Sequence, residues 1–172
     1  QTAKFLAVVA ENMPEFSGEV MQGWIENPKS LQRFLEGLCP PITFPTWKTI
    51  KLGTGLKTAD NFREAFKDSS YMLNYWANDI LGKPAFTASE TETEVDLVVV
   101  SVAELGFKDG ATRRDIYNRA QELGLLLCPS EVGPQLRLQY KYQPKGEWLF
   151  IGMEPITSSG GKLSVFRVGH GG

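Results

Sequence analysis

The sequence predicts an α+β protein. An N-terminal helical segment leads into a mixed, mainly antiparallel sheet with packed helices and a C-terminal β-meander. Three observations predict this. Apolar residues recur at three- and four-residue intervals through the first 38 positions, the helical period. Val95-Asp-Leu-Val-Val-Val-Ser-Val-Ala103 is the most strand-like run in the chain. Beyond Pro134 the apolar period falls to two. At 172 residues the chain is long enough to bury a core without staples.

The helical arm, expected over residues 1–40, reads as three short helices. Thr2–Asn12 carries Phe5, Leu6, Val8 and Val9 and stops at Met13-Pro14. Ser17 is placed to cap the second, with Phe16 and Met21 positioned as a hydrophobic staple. Its apolar residues are Val20, Met21, Trp24 and Ile25. Asn27 caps the third and Pro28 takes its first position, where a missing N–H costs nothing. Leu31, Phe34, Leu35 and Leu38 follow the i, i+3, i+4, i+7 template.

Pro40, Pro41 and Pro45 form a stiff connection to the α+β domain expected over 46–172. Thr46–Leu52 reads as a strand and Gly53-Thr-Gly55 as a turn. Thr58 caps a helix holding Phe62 and Phe66, and a second helix spans Tyr71–Leu81. Val95–Ala103, apolar on both faces, belongs in the middle of a sheet. Thr112 and Asp115 open a helix that ends at Gly124. Gln135–Tyr142 alternates Leu136, Leu138, Tyr140 and Tyr142 against Gln135, Arg137, Gln139 and Lys141, the pattern of a half-buried strand. Glu147–Glu154 and Lys162–Val168 complete the meander, with a turn at Gln143–Gly146.

Three phrases resemble a family of uncharacterised bacterial proteins that has no assigned activity. They are Thr46-Trp-Lys-Thr-Ile-Lys-Leu-Gly-Thr-Gly-Leu-Lys-Thr-Ala-Asp-Asn-Phe-Arg63, Trp76-Ala-Asn-Asp-Ile-Leu-Gly82, and the run from Glu104-Leu-Gly-Phe-Lys-Asp-Gly-Ala-Thr112 to Gly133-Pro-Gln-Leu-Arg-Leu-Gln-Tyr140. The resemblance implies a bacterial, soluble protein and lends no catalytic residue.

Charge narrows the function classes. Lys and Arg number 18 against 20 Asp and Glu, so general affinity for nucleic acid is not expected. Divided along the chain, residues 85–110 carry a net −5 and residues 111–172 a net +3. One His and two Cys remove most zinc patterns and His-based catalytic sets. No run of 18 apolar residues occurs, so no membrane span is expected. Phe5–Ala10 is shorter than the apolar core of a signal peptide. Cys39 and Cys128 are expected as free thiols, and the protein as cytoplasmic.

Several constellations carry chemistry on paper. Glu90, Glu92, Glu94 and Asp96 alternate, so one strand face could hold Mg²⁺ or Ca²⁺; a solvated acidic face guarding an apolar strand is the favoured reading. No metal and no cofactor is expected. Arg113, Arg114 and Arg137, with Arg119 and Lys141 nearby, form the candidate anion site. Gly53-Thr-Gly55 lacks the rest of either phosphate-loop fingerprint. His170 reads as part of a flexible tail. Trp148 and Phe150 share one strand face, and Leu149, Ile151 and Met153 the other, so both faces are expected to be covered. The leading expectation is a non-enzymatic protein-binding or self-associating module acting through residues 1–38. The alternative is a small anion- or nucleotide-binding protein or enzyme, using carboxylates such as Asp96 and Glu104 with those arginines.

Overall fold

A computed structural model of the chain describes residue 11, residues 14–38 and residues 42–170. The expected helix Thr2–Asn12 and the thiol of Cys39 fall outside the described residues. The chain forms two compact units, Gln1–Thr43 and Phe44–Gly172, and its α+β class stands.

In the first unit, helices α1 (Gly18–Glu26) and α2 (Pro28–Leu38) follow one another with only Asn27 between them. The Ser17 hydroxyl accepts from the Val20 N–H and caps α1. Phe16, Trp24 and Phe34 form a three-ring cluster, with centroids 4.8, 5.0 and 5.8 Å apart. That cluster uses only part of the apolar stripe. Val20, Met21, Ile25 and Leu35 remain exposed, Ile25 by 72%.

The second unit begins with a ribbon. Strand β1 (Lys48–Leu52) pairs antiparallel with β2 (Thr93–Leu97), Ile50 opposite Val95 and Lys51 opposite Glu94. Alternation sends Ile50, Leu52 and Leu97 into the core. The other face carries complementary pairs: Lys51 Nζ lies 2.8 Å from Glu92, and the Thr49 hydroxyl donates to Asp96. The apolar run expected as a central strand to Ala103 leaves the ladder after Leu97. Among the described residues its partner is β1 alone, whose reach ends where the Trp47 N–H meets the Leu97 carbonyl. Pro45, just upstream, cannot donate.

Helix α3 (Ala59–Asp68) opens with a reciprocal box between Thr58 and Asn61 and buries Phe62 and Phe66. Helix α4 (Tyr75–Leu81) starts later than the expected Tyr71, because Asn74 takes the cap and accepts from the Ala77 N–H. Asp79 on α4 accepts from the backbone N–H and the hydroxyl of Ser159 and lies 3.1 Å from Lys83 Nζ. The Ser159 bonds first, then Lys83, hold its carboxyl down at about 2. A depressed carboxyl contributes stability above its unfolded pKa of about 3.9 and loses it as pH falls through the folded value. Acid titration of stability between about pH 4 and pH 2 is therefore expected to be shallower in Asp79→Asn than in the parent. Equal slopes in the two proteins would remove Asp79 from the acid response.

Helix α5 (Arg113–Glu122) is capped by Thr112, whose hydroxyl accepts from the Asp115 N–H and donates to its carboxylate. The segment expected as a strand over Gln135–Tyr142 is a helix, α6 (Val132–Gln139), and residues 131–136 are all buried. Glu131, Gln135 and Gln139 recur at i, i+4, i+8 and face the β1 side. Gln139 pairs with both the N–H and the carbonyl of Lys51, as a neighbouring strand would. Glu131 accepts from the Gly53 and Ser89 N–H groups and from Gln135 Nε2, at 2.8–2.9 Å. Buried polar groups this well matched fix the helix in register on the ribbon. Pro134 lies in the first turn, where helix N–H groups lack intrahelical partners anyway.

No meander forms. Strand β3 (Trp148–Phe150) pairs with β6 (Arg167–Gly169), and β4 (Ile156–Thr157) with β5 (Leu163–Ser164), one antiparallel pair nested inside the other. The expected strand over Glu147–Glu154 is cut short after Phe150, with Gly152 inside the interrupted stretch. Among the described residues, three two-stranded antiparallel pairs stand in place of one mixed sheet, and an isolated parallel bridge joins Cys128 to Met153. Helix α6 packs on both β1 and β6 and so joins the ribbon to the C-terminal strands.

Candidate functional site

Helix α5 and the β4–β5 hairpin border an open cleft of about 470 Å³. Thr112, Arg113, Arg114, Tyr117, Asn118 and Gln121 line it from the helix side. Positions 114, 117, 118 and 121 fall on one helical face because they are spaced by three and four. Glu154, Pro155, Leu127 and Leu163 form the opposing wall. The volume lies in the range of small-molecule sites, and the wall combines apolar side chains with a few polar ones.

The electrostatics of the cleft are unevenly balanced. Both arms of the Arg113 guanidinium reach the Leu163 carbonyl only at 3.4 Å. Arg114 is exposed and forms no hydrogen bond or ion pair among the described residues. Other arginines are matched locally: Arg63 by Asp60, and Arg119 by Glu122. The Tyr117 hydroxyl donates to the Met153 carbonyl at 3.0 Å. Burial raises its pKa and the Arg113 charge draws it part of the way back, so Tyr117 is a neutral phenol.

Of the three arginines singled out from sequence, Arg113 and Arg114 meet in this cleft and Arg137 does not line it. Arg137 sits on α6, donates to Gln143 at 2.7 Å and stacks 4.0 Å over the Tyr71 ring. Tyr117, Asn118, Gln121 and Glu154 escaped the sequence reading. The helical spacing from Arg114 held the signal for the first three, whereas Glu154 is brought in by long-range packing.

The remaining constellations resolve into structural roles. Glu92 and Asp96 have cross-strand partners, and the described residues contain no group of three or more His, Cys, Asp or Glu able to hold a metal ion. Glu104 accepts from the Ser101 hydroxyl and N–H, which lower its pKa. Burial raises the pKa of the Cys128 thiol, which is unpaired. His170 belongs to no loose tail: its Nδ1 lies 2.7 Å from the Gln143 carbonyl, and its backbone pairs with Gly146 and Glu147. The face holding Trp148 and Phe150, expected to be covered, is open. The two rings are 47% and 70% exposed, with the Arg167 guanidinium 4.3 and 5.6 Å from their centroids.

Fold and cleft together define the class: an α+β protein with a cleft of mixed apolar and polar lining on its second unit. The chain matches no protein-family model, no curated protein and no solved structure. No helix among the described residues is long and apolar enough to cross a membrane.

Proposed function

We propose that the protein is a non-enzymatic module of the bacterial cytoplasm that associates with a second copy of itself through its N-terminal helical unit. The observation that carries this reading is the pair of helices with no fully buried side chain among those described over residues 14–38. Val20, Met21 and Ile25 on α1 and Phe34 and Leu35 on α2 present apolar surface to solvent. Two copies packed through such stripes complete a four-helix arrangement, the usual way for amphipathic helices to bury their faces. The groups best suited to proton transfer or nucleophilic attack support a binding role. The Cys128 thiol is held protonated by burial, the Tyr117 phenol is neutral, and the His170 ring is tied to a carbonyl.

Light scattering is expected to give a dimer for the full chain and a monomer for an Ile25→Glu/Leu35→Glu variant. Both side chains are exposed, so the variant should keep the parent's circular dichroism. A full chain that stays monomeric at high concentration would overturn the reading.

A further inference from the structure

We infer that the cleft between α5 and the β4–β5 hairpin binds a phosphate monoester attached to a flat ring, with a nucleoside 5′-monophosphate as the reference ligand. This inference does not depend on self-association, because all its residues belong to the second unit.

Arg113 and Arg114, neighbours in sequence, both line the cleft, and among the described residues neither is in an ion pair. Two such groups suit a dianionic phosphate, which accepts several charge-assisted hydrogen bonds. The end of α5 is not the anchor, since Thr112 and Asp115 already occupy its cap. The rest of the lining differs in character. Tyr117, Leu127, Pro155 and Leu163 supply apolar surface suited to a ring, which inorganic phosphate lacks. Asn118 and Gln121 each present a donor and an acceptor, the complement of a heterocycle's polar edge. Glu154 can only accept when ionised, so it calls for a ligand hydroxyl or amine rather than a second anion. The lining thus combines two guanidinium groups, apolar surface, two amides and one carboxylate, a set that suits a phosphate joined to a ring and hydroxyls better than a simple anion.

Calorimetric titration of the full chain with AMP, GMP, CMP and UMP tests this, with inorganic phosphate and adenosine as comparison arms. At least one monophosphate is expected to bind saturably. Inorganic phosphate and adenosine are each expected to bind at least about tenfold more weakly, because each lacks half of the complementary surface. Arg113→Ala/Arg114→Ala should weaken the monophosphate by more than about tenfold, the worth of one or two charge-assisted bonds. An unchanged melting temperature shows that this variant is folded. Asn118→Ala/Gln121→Ala should change the ranking among the four bases while leaving the phosphate requirement intact. The inference is overturned by no saturable binding of any monophosphate, by equal affinity for inorganic phosphate, or by undiminished affinity in the folded double-arginine variant.

Discussion

Glu131→Ala is expected to lower the unfolding free energy by about 3 kcal/mol or more, because it removes a buried charged acceptor from three donors at once. Glu131 is fully buried, and its two oxygens take the Gly53 N–H, the Ser89 N–H and Gln135 Nε2. Truncation leaves the two backbone donors without that acceptor and frees Gln135, which also donates to Thr54. Glu131→Gln keeps the shape but turns one acceptor oxygen into an amide donor facing a donor, so a loss of about 1–2 kcal/mol is expected. Urea denaturation at neutral pH measures both. Gln135→Ala added to Glu131→Ala should cost less than the sum of the two changes, because both residues act in one network. A loss under about 1 kcal/mol in Glu131→Ala would mean that water serves the two loops equally well.

The same residues explain why the centre of the fold was illegible in the sequence. Between 135 and 142 polar and apolar residues alternate strictly, and read alone that is a strand. A helix buried on several sides needs no single apolar stripe, however, and α6 packs on both β1 and β6. Its polar positions at 131, 135 and 139 are not a solvent face: they substitute for a strand at the edge of β1. Periodicity reports where apolar side chains fall, not whether a polar side chain has found a buried partner. Val95–Ala103 misled for a related reason. Its composition suits a strand, but the length of a strand is set by its partner, and β1 offers only Lys48–Leu52. Local signals did better. Ser17, Thr58 and Thr112 cap the helices they were expected to cap, since a cap needs only residues within one turn.

The cleft was legible to the same local extent. Arg113 and Arg114 stand together because they are neighbours on one helix, while Arg137 depended on an adjacency between a helix and a strand that is not there. With 132–139 helical, Arg137 turns toward Tyr71 and Gln143. The wall formed by Glu154, Pro155 and Leu163 required knowing that β4 and β5 fold back as their own pair. The open ring pair Trp148 and Phe150 was missed because apolar residues on both faces of a strand suggest cover on both sides. Here Arg167 stacks on the outer face instead.

Alanine at Gly53, Gly133 and Gly169 should destabilise in that order, although a new Cβ collides at all three positions. At Gly53 the added carbon would lie 2.1 Å from the Thr91 carbonyl oxygen, and the residue's φ is +64°. Backbone meets backbone in a conformation that penalises a side chain, so a loss of about 3 kcal/mol is expected. At Gly133 the collision is with Phe166, at 2.5 Å from its Cβ. Phe166 is buried and cannot swing away. Overpacking of this kind costs about 1–3 kcal/mol, partly offset by the better helix propensity of Ala. At Gly169 the new carbon would meet the Trp148 ring at 2.1 Å, but that ring is half exposed and can rotate into solvent. The loss there should stay below about 1 kcal/mol and appear mainly as altered tryptophan fluorescence, as Arg167 loses its stacking partner. Thermal or urea unfolding of the three variants gives the order directly. Gly133→Ala is the most informative member, since a stabilised variant would mean that Phe166 has room to retreat and that α6 is not wedged against β6.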